Sequence, residues 1–237
     1  MSVGLDANCV PILDLTAINA RLEHASSAEI LAWATETFGD RLVATSSFQT
    51  QSVPLLHLLA GFAPNTEVLF LDTGFHFPET LAFKDDLTTR LGLRVRSLRT
   101  ERGHDAFRRE HGELYRRDPD HCCYLNKVLP LQRALEGLPA WISGIRRDQT
   151  AQRADVRIVE RVDGRFKIAP LANWSEDDVQ AYLQQHDLPS HPLLEQGYRS
   201  IGCAPCTRPI ARGEDTRAGR WAGLAKTECG LHDPPSS

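Results

Sequence analysis

The chain predicts an α/β fold, a mostly parallel twisted sheet flanked by helices and ending in a mobile C-terminal tail. Three observations lead there. Short apolar runs of buried-strand type recur at residues 42–45, 68–71, 95–98 and 140–144; amphipathic helical patterns separate the first three; and regularity fades after Pro189 into a stretch rich in Gly and Pro. Residues 1–198 form the α/β domain on this basis, and residues 199–237 form a loop and tail. With 237 residues and 41% hydrophobic content, the chain can bury a sizeable core of its own.

Taken in order, Ser26-x-x-Glu29 has the form of a capping box before Ile30, Leu31, Trp33 and Ala34, so a helix is expected to run up to Gly39. The first strand follows. Val53, Leu55, Leu56, Leu58 and Leu59 keep helical spacing, a break at 61–65 follows, and the second strand completes a βαβ unit. A helix over 78–91 opens on proline, where the missing N–H costs nothing. Residues 156–160 and 166–169, joined across Asp163-Gly164, have the form of a hairpin, and Ser175-x-x-Asp178 starts a helix carrying Val179, Tyr182 and Leu183. No internal repeat is present.

The net charge of −4 argues against nucleic acid as a partner, although arginines gather at 146, 147, 153, 157 and 161 and again at 208, 212, 217 and 220. For any single arginine a solvated surface is the commoner role; clusters beside cysteines point more strongly to an anion site. No apolar run approaches the roughly 20 residues of a membrane span, and no basic region precedes an apolar stretch at the N-terminus. Six cysteines, several at metal-ligand spacing, suit a reducing compartment better than a disulfide framework. A cytoplasmic protein is expected, with no membrane partner; a homo-oligomer is compatible with the sequence.

Cys122 and Cys123 are adjacent, and Cys203-Ala-Pro-Cys206 answers them about eighty residues later. Zinc, a four-iron four-sulfur cluster, and disulfides or inert thiols all fit four thiols in two tight pairs. Adjacent cysteines close only a strained ring with each other, and a cluster can accept sulfurs from consecutive residues at different iron corners, which favours the cluster. Cys229 stands between Lys226 and His232 in a glycine-flanked segment. A nearby cation stabilises a thiolate, and the thiolate is the nucleophile, so Cys229 is the candidate for chemistry, against an incidental surface cysteine.

Ligands of open parallel sheets sit beyond the carboxyl ends of strands. After the first strand, Thr45-Ser46-Ser47-Phe48-Gln49-Thr50 offers hydroxyls and amides at a helix mouth, where they serve as plain caps or as a phosphate cradle. After the second, Asp72, Thr73 and Gly74 suit either a turn or a ligand contact.

Cys122-Cys123, Lys127, Cys203-x-x-Cys206, Leu71-Asp72-Thr73-Gly74 and Glu228-Cys229-Gly230-Leu231-His232 together closely resemble assimilatory adenylyl-sulfate reductases over roughly residues 40–232. The resemblance implies an adenine nucleotide alpha hydrolase-like sheet and the reduction of adenosine 5′-phosphosulfate to sulfite and AMP by thioredoxin. It further implies one 4Fe-4S cluster on Cys122, Cys123, Cys203 and Cys206, of electrostatic and structural use, and an S-sulfocysteine on Cys229. Ser46, Ser47, Asp72, Thr73 and Gly74 match positions beside the nucleotide. Lys127 matches a lysine that lies between cluster and substrate, Arg153, Arg217 and Arg220 match positions that engage the phosphosulfate, and His232 is a further anion contact, an aid to Cys229 or a plain surface residue. The chain departs from the pattern in the loop Ser46-Ser47-Phe48-Gln49-Thr50-Gln51, where relatives commonly have a glycine-containing form, and at Asn126, where they often carry Arg.

Two rivals remain at this level. One is reduction of the 3′-phosphorylated nucleotide, or of both, although members restricted to it typically lack the paired cysteines present here. The other is a noncatalytic zinc or iron-sulfur module with Cys229 as a regulatory thiol. A nucleotide-activating ATPase ranks below both, because no S-G-G pyrophosphate loop is present.

Overall fold

The computed structural model describes residues 12–224 and 226–231. Its strands are β1 (Leu42–Ser46), β2 (Glu67–Leu71), β3 (Arg94–Leu98), β4 (Ala140–Ser143), β5 (Val159–Val162) and β6 (Arg165–Ile168). They form one sheet in the order β3-β2-β1-β4-β6-β5, in which β5 alone runs antiparallel to its neighbour. Val43 of β1 lies opposite Glu67 of β2 on one side and Trp141 of β4 on the other. The chain leaves β1 toward β2 and β3, then crosses back to place β4 on the far side of β1. The strand order therefore reverses between β1 and β4, and that reversal opens a crevice at their carboxyl ends.

Strand residues alternate between two apolar layers. Ala44, Val68, Phe70, Ile142, Phe166 and Ile168 pack with Leu31, Phe38 and Leu56 in the larger core. Val43, Leu69 and Trp141 point the other way, onto Leu98, Leu131 and Leu135. Helices α1 (Leu15–Leu22), α2 (Ser27–Phe38), α3 (Val53–Phe62), α4 (Pro78–Leu91) and α9 (Glu176–Gln185) account for the regular helices outside the β3–β4 connection. The capping boxes at Ser26/Glu29 and Ser175/Asp178 both form, and the helix over 78–91 has the expected bounds. Asp163 and Gly164 both have positive φ, 49° and 78°, as a two-residue hairpin turn requires. The hairpin's first strand begins at Val159, three residues later than the apolar pattern suggests. Val156 is instead tied to the preceding turn, its N–H donating to Arg153 O and its carbonyl accepting from Arg147 Nε.

Between β3 and β4, where periodicity assigns nothing, the chain forms α5 (Gly103–His111), α6 (Leu114–Arg117), α7 (Pro119–Cys123), a π-turn over Tyr124–Val128 and α8 (Leu129–Ala134). These pieces are too short to show a clear apolar stripe. Of these, α8 covers the smaller core, while α5 to α7 gather a separate cluster around Phe107, Leu114 and Cys122; together they carry Cys122, Cys123 and Lys127 to the end of the sheet. No helix among the described residues is long and apolar enough to cross a membrane.

His191 pins the connection after α9 to the turn after β1 and to α4. Fully buried, it accepts the Leu193 N–H on Nδ1 at 3.2 Å, faces Thr80 Oγ1 through Nε2 at 3.0 Å, and donates its own N–H to Thr50 Oγ1 at 2.9 Å. Burial pushes its imidazole down to about 4, below the value near 6.5 of an open chain. Between those values the unfolded state binds a proton that the folded state refuses, so stability is full above pH 6.5 and declines as pH falls toward 4. The expected loss is about 2–3 kcal/mol across that window. Urea denaturation at pH 7 and pH 4.5 checks it, because the difference should shrink in His191→Gln.

Candidate active site

A cavity of about 200 Å³ opens at the β1/β4 reversal. Its floor is the end of β1, β2 and β4, contributing Thr45, Ser46, Leu71 and Ser143. Phe48 shapes the loop after β1. Its φ of 52° is unfavourable for a bulky residue, but the ring is fully buried against Phe70 at 5.6 Å, and packing holds it there. Ser46 Oγ accepts the Phe48 N–H at 3.1 Å, and Ser47 Oγ pairs with Ser52 Oγ at 3.0 Å. Both hydroxyls serve the local turn while still lining the cavity.

Beneath one wall, Arg146 is 1% exposed and braces the loop after β4. Its guanidinium holds Asp148 and Glu176, and Gln51 bridges to the same Glu176. Gln49 Oε1 accepts the Ile201 N–H at 2.9 Å, which ties the β1 loop to the cysteine segment. Neither contact is visible in the sequence, since each joins residues more than a hundred positions apart or lacks a local motif.

Lys127, Arg153, Arg217 and Arg220 all line the cavity, with Cys229 among them. Burial alone would lower the Lys127 ammonium, but the sulfurs of Cys203, Cys229 and Cys123 outweigh it and hold the ammonium above its usual value. Arg217 is pushed down by burial, partly offset by Glu228. Arg220 lies over the Trp221 ring at 4.4 Å, its Nε buried without a partner among the described residues. Arg153 is engaged inside the protein. Its Nε and Nη2 donate to Glu228 at 3.0 and 2.6 Å, and its Nη1 donates to Gln149. Glu228 is the residue whose part the sequence did not single out. It was visible as the acid next to Cys229, facing a run of arginines.

The Asp72-Thr73-Gly74 turn does not line this cavity. Buried Asp72 is spoken for: burial would raise its carboxyl, but Arg99 Nε at 2.8 Å and the Gly74 N–H at 3.2 Å hold it below the usual range. Thr73 faces the thiols, with Oγ1 3.3 Å from Cys203 Sγ. From the same turn it is His76, not anticipated, that reaches the cavity, anchored by Nε2 to Leu71 O at 2.8 Å. His232 lies outside the described residues.

Beside the main cavity, Cys122, Cys123, Cys203 and Cys206 line one small hollow of about 10 Å³, together with Lys127, Asn126 and Trp221. All four are free thiols. Burial, with the neighbouring sulfurs, pushes Cys122 up to about 12 and Cys206 up to about 11; burial also raises Cys123 against the pull of Lys127. Asn126 Nδ2 donates to Cys122 O at 3.0 Å and lies 3.7 Å from its Sγ. Among the described residues no three His, Cys, Asp or Glu side chains converge tightly enough to hold a single ion.

The second cysteine pair sits on a tight ribbon. Thr207 and Arg220 form an antiparallel bridge, Arg208 N–H donates to Gly219 O at 2.9 Å, and Trp221 N–H donates to Cys206 O at 3.0 Å. Two glycines permit close approach. A Cβ at Gly219 would lie 2.2 Å from the Arg208 carbonyl oxygen, whereas one at Gly202 would meet only the Arg220 guanidinium, at 2.4 Å. Backbone cannot yield cheaply, but a side-chain end can. Gly219→Ala is therefore expected to destabilise the protein by about 1–3 kcal/mol. Gly202→Ala should keep its melting temperature while displacing Arg220, weakening sulfate binding about tenfold by calorimetry at low salt.

A model described as the phosphoadenosine phosphosulfate reductase domain matches residues 41–209. A Streptomyces coelicolor protein named adenosine 5′-phosphosulfate reductase is 48% identical over 214 residues, 89% of this chain and 90% of that one. One from Gloeobacter violaceus, named phosphoadenosine 5′-phosphosulfate reductase, is 46% identical over 89% of this chain and 90% of its own length. The crystal structure of phosphoadenylyl-sulfate (PAPS) reductase from Candida auris, a phosphate complex, superposes with a TM-score of 0.73 at 28% identity, covering 86% of this chain and 98% of that one. With its pocket at the strand-order reversal and a match over most of its length, this chain belongs to the phosphoadenosine phosphosulfate reductase domain family.

Proposed function

We propose that this protein is an oxidoreductase that reduces adenosine 5′-phosphosulfate to sulfite and AMP in sulfate assimilation, using reduced thioredoxin in the cytoplasm. The observation that carries the proposal is the meeting of Cys229 with Lys127, Arg217 and Arg220 in one cavity at the carboxyl ends of β1, β2 and β4. An anionic phosphosulfate anhydride needs cations, an adenosine needs a crevice, and transfer of its sulfo group needs a soft nucleophile. Relatives of the same length are named for this nucleotide. The paired Cys122 and Cys123 favour the substrate without a 3′-phosphate.

The adenosine and its phosphate would occupy the crevice floored by Ser46, Ser47 and Ser143. Lys127 and Arg220 bear on the sulfonate oxygens and draw electron density from sulfur. The Cys229 thiolate attacks that sulfur, the bond from sulfur to the phosphate oxygen breaks, and AMP leaves with the bonding pair. A thiolate of the reductant then attacks Cys229 Sγ, and sulfite leaves carrying the two electrons of the broken S–S bond. The reductant's second thiol resolves the mixed disulfide and returns Cys229 as a thiol. Residues 199–237, the loop and tail, supply the nucleophile, and residues 1–198 the nucleotide crevice.

The donor set fits a 4Fe-4S cluster: four thiols, with no carboxylate or imidazole beside them among the described residues, line one hollow, on Cys122, Cys123, Cys203 and Cys206. When bound, the cluster would supply fixed charge next to Lys127 and a rigid tie between the α7 segment and the ribbon. The residues do the rest. Cys203 Sγ pairs with the Thr73 hydroxyl, and Lys127 lines both the hollow of the thiols and the substrate cavity.

Anaerobic purification should yield about four irons and four sulfides per chain. Given reductant and nucleotide, the protein should release sulfite, and without reductant it should carry a sulfonate on Cys229 by mass spectrometry. Cys229→Ser should lower turnover about a thousandfold or more. A sulfonate adduct persisting in Cys229→Ser, or nucleotide binding without sulfite release, would remove the assignment.

A further inference from the structure

Glu228 is the one acid among the described residues lining the main cavity, against four cations. Its carboxylate pairs in a fork with Arg153, through Nε at 3.0 Å and Nη2 at 2.6 Å, and Arg217 Nη2 approaches at 3.4 Å. Thr150 Oγ1 adds a fourth donor at 3.3 Å. Both side chains of the Glu228–Arg153 pair are 10% exposed, so the pair is largely out of water and geometrically defined, unlike a surface ion pair.

A second anchor follows three residues later. Leu231 packs on the smaller core beside Leu69 and Trp141. Cys229 lies between a polar anchor and an apolar one, and the segment has no regular secondary structure of its own to hold it in place. No described carboxylate pairs with Lys127, whose charged neighbours are the sulfurs of Cys203, Cys229 and Cys123.

We propose that Glu228 is a positioning residue, whose ion pair with Arg153 docks the tail and holds Cys229 in the cavity. Arg153 thus acts on the protein's own carboxylate, leaving Lys127 and Arg220 for the substrate anion. Only the identity of that anion rests on the function proposed above; the docking itself does not.

Two readouts on the full-length protein, purified without oxygen, test this. The first needs no substrate: the rate at which iodoacetamide modifies Cys229, followed by peptide mass spectrometry. Glu228→Gln and Arg153→Gln should each raise it about tenfold or more, the double variant no further, and Glu228→Asp should fall between. The second is single-turnover transfer of sulfonate to Cys229. In Glu228→Gln it should slow roughly 10- to 100-fold, while AMP affinity stays within about threefold. Unchanged alkylation in Glu228→Gln overturns the proposal. So does a Glu228→Gln protein that transfers sulfonate at the parent rate, since Glu228 would then merely fill the anion seat. If the parent protein accepts no sulfonate at all, the proposed reaction fails, and the alkylation rates still decide the docking.

Discussion

Like charges crowded into one partly desolvated cavity repel one another, and much of this molecule is arranged around that constraint. Lys127 comes from the π-turn after α7, Arg153 from the loop after β4, and Arg217 and Arg220 from the ribbon that carries Cys203 and Cys206. Each has a neighbour that steadies it. Sulfurs surround Lys127, Glu228 takes Arg153 and Arg217, and the Trp221 ring supports Arg220. What is left uncompensated is positive, so the cavity draws an anion.

Such an arrangement needs stiff supports, because each cation would move away if it could. The parallel sheet provides them. Its inner strands are apolar on both faces and packed between two layers, and the loops at their carboxyl ends are braced by buried groups: Phe48 against Phe70, Arg146 under the β4 loop, and His191 between Thr50 and Thr80. The strained Phe48 backbone is held by the burial of its ring against Phe70. The tail, by contrast, has one polar and one apolar anchor. Under the proposed function, the Cys229 nucleophile on such a segment would be covered in the cavity and later offered to a partner thiol.

Legibility followed locality. Strand runs, capping boxes and the Asp163-Gly164 turn are local, and the structure has them within a few residues of the expected places. The segment from α5 to α8 was not legible, because four- to nine-residue helices carry too few turns to print a stripe. Asp72 and Thr73 illustrate the same limit from the other side. Their motif marks the end of a strand correctly, but which way each side chain turns depends on Arg99 and Cys203, far along the chain.

The sequence by itself determined the sheet, the thiol pairs and the supply of cations, since apolar spacing and residue chemistry belong to short stretches of chain. Only the tertiary structure decided that the two thiol pairs share one hollow, that His76 rather than Asp72 faces the cavity, and that Arg153 answers Glu228. Those outcomes depend on which distant groups meet when the strands pack, and charge pairing is settled by proximity rather than by order along the chain.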